Sequence, residues 1–170
     1  MDTIFAQATA VGRAGVSVVR VSGPLAHHIC TEMVGALPQA RSSGLRMVKD
    51  IDGGTIDQAL ILTFDGPESF TGEDVVELHL HGSIAIMRRV LDQLGNFDGA
   101  RMAEPGEFTR RALENGRLDL VQVEGLADLI EAETEAQRKQ ALRVLSGALG
   151  SKIDGWRRSL IRAAALLEAT

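Results

Sequence analysis

The stretch Glu73–Gly95, EDVVELHLHGSIAIMRRVLDQLG, changes hydrophobic period in its middle. From Glu73 to His81, the positions Val75, Glu77, His79 and His81 alternate with Val76, Leu78 and Leu80. A period of two with one apolar face describes a half-buried strand. After Gly82, the positions Ile84, Ile86, Met87, Val90, Leu91 and Leu94 suit a helix ending near Gly95. Upstream, Val16–Val21 is a short β-branched run stopped by Ser22-Gly23-Pro24, and Gln58–Phe64 is an apolar run closed by Asp65-Gly66-Pro67. Downstream, Pro105 is suited to open a helix, Glu107 is placed to complement its dipole, and Asn115-Gly116 forms a C-cap pair. Strands and helices mix without a regular βαβ alternation, so the expected fold class is α+β.

Beyond Arg117 no strand signal remains. One helix starts around Leu118 and Val121 and continues through Ile130, with Asp119 supplying charge near its start. Leu142, Leu145, Leu149, Ile153, Trp156, Leu160, Ala163 and Leu167 then recur at steps of three and four residues. That spacing keeps them on one face of a long bundle or coiled-coil helix. Gly147, Gly150 and Gly155 interrupt the stripe, each at a cost of up to roughly 1 kcal/mol against Ala, so a bend or break is expected there. The pattern runs through Leu166-Leu167-Glu168-Ala169-Thr170 without a stop signal. The expectation is a piece of a longer polypeptide whose further helices cover the stripe. The division expected is residues 1–117 and residues 118–170.

Composition narrows the partners. The 170 residues are 45% hydrophobic and 24% charged, enough to bury a sizeable core. Net charge is −5; residues 1–100 carry seven Lys+Arg against twelve Asp+Glu, and residues 101–170 carry eleven of each. A basic face over the whole surface is excluded. An anionic ligand must therefore be met by a few placed arginines. The single Cys30 allows no internal disulfide and no cysteine-based zinc site. There is no apolar run of membrane-spanning length and no basic-then-apolar leader. The expectation is a soluble, cytoplasmic protein without a membrane partner.

Several constellations carry candidate chemistry. Gly12-Arg13-Ala14-Gly15-Val16 reads as an ordinary turn before a strand, although glycines flanking an arginine also bring backbone N–H groups near an anion. Arg20 interrupts an apolar strand, so its charge must be paired or reach solvent along its stem. A carboxylate or a ligand's ring edge is one way to satisfy it. Glu77, His79 and His81 share a strand face. Such a set offers three metal ligands about 6.5–7 Å apart, but a solvated polar face is the commoner reading. A carboxylate in this position can instead grip a ligand with paired N–H donors. Arg117 stands at the junction between two helices. Arg157, Arg158 and Arg162 form a small basic patch that reads as a wet helix face. Gly147–Lys152 fails as a phosphate loop, lacking the glycine spacing, the placed lysine and the preceding strand.

The matching strings are Asp2-Thr3-Ile4 with Ala6-Gln7-Ala8-Thr9, Gly12-Arg13, Val19-Arg20-Val21-Ser22-Gly23, and Phe70-Thr71-Gly72-Glu73-Asp74 with Glu77. They continue through His81-Gly82, Pro105-Gly106-Glu107-Phe108, Arg111-Ala112, Leu118-Asp119-Leu120 and Ala127-Asp128-Leu129-Ile130. In this order, over nearly the whole chain, they resemble the MnmE (TrmE) family of tRNA modification GTPases. The resemblance implies that residues 1–117 form a folate-binding, dimerising domain similar to that of aminomethyltransferases. Residues 118–170 would be the first part of a helical domain. In the family a Ras-like GTPase domain, absent from this sequence, is inserted into that helical domain. GTP, potassium and magnesium belong to it, so GTP hydrolysis is implied for the parent protein and not for this stretch alone. No catalytic residue and no metal ligand is implied here.

The cofactor implied is 5-formyl- or 5,10-methylene-tetrahydrofolate, with Arg20, Glu77 and Arg117 aligning with the family's folate contacts. Its one-carbon unit would modify the wobble uridine of tRNA jointly with the flavoprotein MnmG, the parent acting as a homodimer. Ala14 and Ser17 stand where the family usually has glycine. Arg117 stands where lysine is common, keeping the charge while changing hydrogen-bond geometry. Two other readings remain beside this one: a free-standing folate-dependent one-carbon transferase, and a purely structural dimerisation module.

Overall fold

A computed structural model describes residues 2–168, with the backbone alone at 148–152 and 154. The chain divides into two compact units, Met1–Arg117 and Leu118–Thr170. The first contains β1 (Thr3–Gln7), β2 (Ala14–Ser22), α1 (Ala26–Val34), β3 (Ser43–Lys49), β4 (Thr55–Phe64), β5 (Val75–Gly82), α2 (Ile84–Gly95), β6 (Ala100–Met102) and α3 (Glu107–Glu114). Its six strands form one sheet in the order β3-β4-β5-β2-β1-β6. Every neighbouring pair is antiparallel except β1 and β6, which run parallel. The α+β class read from the sequence is the class of the fold.

Strand alternation builds the core. Val76, Leu78 and Leu80 of β5 lie buried beside Val19 and Val21 of β2, Ala59 and Ile61 of β4, and Phe5 of β1. Against this face pack Ile29 and Met33 of α1, and Met87, Val90 and Leu94 of α2, the last three at the helical spacing read from the sequence. Each large apolar side chain removed from water contributes roughly 1.5–3 kcal/mol before entropy is counted. The opposite face carries Ala6, Arg20, Glu77 and Leu62 in one cross-strand row. Val18, His79, Leu60 and Leu45 form the next row.

One boundary differs from the sequence expectation, and one expected break is found. The third helix begins at Glu107 with Gly106 as its N-cap, so Pro105 precedes the helix instead of opening it. The long apolar stripe is divided between two helices at the first of the three interrupting glycines, Gly147. The second unit comprises α4 (Leu120–Glu131), α5 (Glu135–Leu145) and α6 (Ala148–Glu168). Leu142 and Leu145 lie on α5 and the rest of the stripe on α6, with the break at Ser146-Gly147. Asp119 caps α4 and Thr134 caps α5, each in a reciprocal box with the glutamine three residues on. On α6, Ile153, Trp156 and Leu160 are exposed. The side chain of Leu149, together with Ala169 and Thr170, lies outside the described residues. Among the described residues no helix is long and apolar enough to cross a membrane.

Candidate functional site

Arg20 and Glu77 sit directly opposite each other on β2 and β5. Arg20 donates from Nε at 2.9 Å and from Nη2 at 2.7 Å, both to Glu77 Oε1. Their side chains are 25% and 16% exposed, so the pair is held at the surface of the sheet and not sealed inside it. The Arg20 guanidinium lies 5.2 Å from the Phe70 ring centroid and 5.6 Å from that of Phe108. Aromatic faces attract a guanidinium at such distances, and both rings lie within that range of Arg20. The charge that interrupts an apolar strand is thus matched by a facing carboxylate. Among the described residues, Glu77 Oε2 has one polar contact, His79 Nε2 at 3.3 Å. A carboxylate offers about four lone-pair sites, so Glu77 retains acceptor capacity.

Arg117 reaches the same region through the loop between β4 and β5. Its Nη1 lies 3.8 Å from Glu68 Oε1. A Cβ on Gly72 would fall 3.2 Å from Arg117 Cγ, so the arginine stem rests on that glycine. Asn115 Nδ2 donates to the Thr71 carbonyl at 2.7 Å. One loop therefore borders two of the three candidate residues: Phe70 lies against Arg20, while Glu68 and Gly72 contact Arg117. Direct contact exists between Arg20 and Glu77, and Arg117 joins them through this loop.

A buried charge network holds the loop, and sequence reasoning missed it. Ser22 Oγ donates to Glu73 Oε2 at 2.8 Å and lies 2.7 Å from Thr71 Oγ1. Arg111 Nη1 donates to both Glu73 oxygens, at 3.0 and 3.1 Å, and to the Asp2 carbonyl at 2.8 Å. Its Nη2 donates to Glu107 Oε1 at 3.1 Å, and Arg101 donates to both Glu107 oxygens at 2.9 and 2.6 Å. The Arg101 hydrogen bonds, against the opposing effect of burial, hold the Glu107 carboxyl down at about 2. Glu107 had read only as a helix-dipole residue; instead it anchors α3 to β6 and, through Arg111, to the loop. The spacing Glu107 to Arg111, one helical turn, was the available signal.

The three-ligand reading of Glu77, His79 and His81 divides between two partners. His79 contacts Glu77, whereas His81 Nδ1 lies 2.8 Å from Asp57 Oδ1. Among the described residues, the groups near enough to share an ion are instead His27, Asp65 and Asp74, of which Asp65 is exposed and the other two partly so. Arg157, Arg158 and Arg162 are exposed on α6, as a solvated face requires.

Comparison with known proteins agrees with this geometry in extent. A family model described as "GTP-binding protein TrmE N-terminus" matches residues 3–117, and one described as "MnmE helical domain" matches residues 120–170. The chain is 65% identical over 170 residues to the tRNA modification GTPase MnmE of Roseobacter denitrificans, covering 100% of this chain and 40% of that protein. It is 61% identical over 169 residues to the MnmE of Ruegeria pomeroyi, covering 99% of this chain and 40% of the relative. It is 52% identical over 170 residues to the MnmE of Beijerinckia indica, covering 99% of this chain and 38% of the relative. The chain thus spans about two fifths of the length of these curated relatives.

Proposed function

Because the chain belongs to the MnmE (TrmE) family of tRNA modification GTPases, we propose that residues 1–117 bind a tetrahydrofolate derivative and dimerise, serving a GTPase that modifies the wobble uridine of tRNA. The observation that carries this reading is the Arg20–Glu77 pair, set on the open face of the sheet with the Arg20 guanidinium against the Phe70 and Phe108 rings. A reduced pterin presents an amino group beside a ring N–H, and a carboxylate with a spare oxygen is the complementary acceptor. Glu77 is such a group, because Arg20 occupies one oxygen and fixes the carboxylate's orientation. Arg20 and Arg117 supply cationic donors for the polar ring edge or the carboxylates of the ligand. Phe70 and Phe108 supply apolar walls. When bound, 5-formyl- or 5,10-methylene-tetrahydrofolate supplies the one-carbon unit; this chain's residues bind and orient it.

The rest of the reading follows the family. Residues 118–170 are the first part of the helical domain, and residues 1–117 resemble the folate domain of aminomethyltransferases. The GTPase domain, with GTP, potassium and magnesium, lies outside this sequence, so the chain alone hydrolyses no GTP. The partners proposed are a second copy, the flavoprotein MnmG and tRNA, in the cytoplasm. Dimerisation is supported by the apolar edge of the open sheet face, where Leu45, Met47 and Leu60 are exposed. Contiguous exposed apolar groups of this kind mark association surfaces.

Thermal unfolding with added ligand tests the proposal. A ligand at 100 times its Kd stabilises the folded state by about 2.7 kcal/mol. Saturating 5-formyltetrahydrofolate is expected to raise the Tm, whereas GTP with magnesium leaves it unchanged. A shift with GTP and none with the folate overturns the reading.

A further inference from the structure

Residues 1–117 contain ten arginines. Eight form ion pairs or hydrogen bonds. Among the described residues of this unit, Arg13 and Arg88 are the two that form neither, and both line one cleft of about 720 Å³. The cleft lies between the start of β2, the end of β5 and the start of α2, with Gly15, His81, Ser83 and Ile84 in its wall. No carboxylate lines it. That absence is informative, because residues 1–117 carry fifteen Asp+Glu against eleven Lys+Arg. In an acidic domain, two unpaired guanidinium groups facing one carboxylate-free cleft leave a local excess of positive charge.

The surrounding groups reinforce the same preference. Asp57, whose side chain is 8% exposed, accepts from the His81 backbone N–H at 2.8 Å and lies 2.8 Å from His81 Nδ1. The nearby acid is thereby committed to His81, and His81 Nε2 is left without a partner among the described residues. Ser83 makes no side-chain cap on α2, so its first-turn N–H groups add to the positive field. The glycine-flanked Arg13, which read from sequence as an ordinary turn, here forms one wall of a concave surface.

We propose that this cleft binds a polyanion, with two oxyanion groups paired to Arg13 and Arg88. Guanidinium groups pair with carboxylate and phosphate alike. Two sources carry that chemistry: a chain of γ-linked glutamates, and a run of phosphates. The cleft is a separate subsite from the Arg20–Glu77 pair. His81 lies four residues along β5 from Glu77 on the same face, about 13 Å away at the strand rise. The γ-glutamate source rests on the folate reading, whereas the phosphate source stands without it.

Backbone amide NMR of the 170-residue chain, titrated with penta-γ-glutamate and separately with tripolyphosphate, tests it. Ionic strength is held near 0.1 M, where exposed charges are screened beyond about 10 Å. Saturable shifts centred on Gly15, Gly82 and Ser83 are expected with at least one probe, and the tighter probe identifies the source. Arg13→Gln/Arg88→Gln is expected to weaken that binding at least tenfold. The control Arg41→Gln/Arg89→Gln, with the same loss of charge, changes it less than twofold. The spectra themselves report that each variant is folded. Absence of saturable shifts with both probes, or equal weakening by the two variant pairs, overturns the proposal.

Discussion

Arg20 and Glu77 are cross-strand partners on β2 and β5, joined at 2.7 Å between Nη2 and Oε1 on the sheet face away from the core. The pair does two things at once. It satisfies an arginine inside an apolar strand, and it presents a carboxylate whose second oxygen is nearly unoccupied. Glu77→Gln removes the charge while keeping the shape, and is expected to cost about 1–3 kcal/mol in urea unfolding. Arg20→Gln/Glu77→Gln is expected to cost less than the two single changes summed, since each single variant strands a charged or polar partner. Additive costs would mean that the pair is not coupled.

Glu107 makes acid stability sensitive to one residue. Its carboxyl titrates near 4.5 when unfolded and at about 2 when folded, chiefly because Arg101 hydrogen-bonds the charged form. Between those values the unfolded state binds more protons, so stability falls as pH drops through this window. The contribution is complete above pH 4.5 and fades toward pH 2. Glu107→Gln is expected to flatten this part of the stability–pH profile and to cost roughly 3 kcal/mol at neutral pH, because it removes the buried negative charge shared by Arg101 and Arg111. Urea unfolding from pH 7 down to the acid limit checks both.

Gly72 couples the loop to Arg117. Its φ is 79°, and an added Cβ would lie 2.9 Å from Asn115 Cβ and 3.2 Å from Arg117 Cγ. Gly72→Ala is expected to lose about 1–3 kcal/mol from backbone strain alone. It is also expected to weaken folate binding by displacing Arg117. Gly106→Ala has similar strain, with φ 75° and nothing within 4 Å of the added Cβ, so it is expected to lower stability and leave affinity unchanged. Parallel unfolding and binding titrations separate the two effects.

Gly125 sets the approach of α4 to α5. A Cβ there would lie 2.8 Å from the Leu145 backbone N and 2.9 Å from Val144 Cγ1. Alanine favours a helix over glycine by about 1 kcal/mol, but overpacking a close crossing costs typically 1–3 kcal/mol. The clash involves backbone, which cannot swing aside. Gly125→Ala is therefore expected to lower the melting temperature of the helical signal at 222 nm; an increase would show that the helices can separate without cost.

How far the sequence was legible follows from where local signals were strong. β5 and α2 were readable because Val76, Leu78 and Leu80, then Met87, Val90 and Leu94, repeat at the periods of a strand and a helix. β3 was not singled out: as an edge strand it buries Val48 alone and leaves Leu45 and Met47 exposed. β6 is three residues long, too short for any period to register. The stripe from Leu142 to Leu167 kept helical spacing across Ser146-Gly147, so the end of α5 was signalled by the glycine and not by periodicity. Among site residues, the need to pair Arg20 was legible because a charge inside an apolar strand demands a partner. That Glu77 is this partner depends on the β2–β5 register, which is set by tertiary pairing. The Glu73–Arg111–Glu107 network joins residues up to 38 positions apart and left only its helical pair as a local trace.

Calorimetric titration of 5-formyltetrahydrofolate into the chain and into Glu77→Gln tests the central claim most directly, with unfolding of the same samples as the folding control. The account predicts saturable binding to the wild-type chain and at least tenfold weaker binding to the folded variant. Equal affinity in the two would remove Glu77 from the site, and no binding by either folded protein would contradict a folate site in residues 1–117.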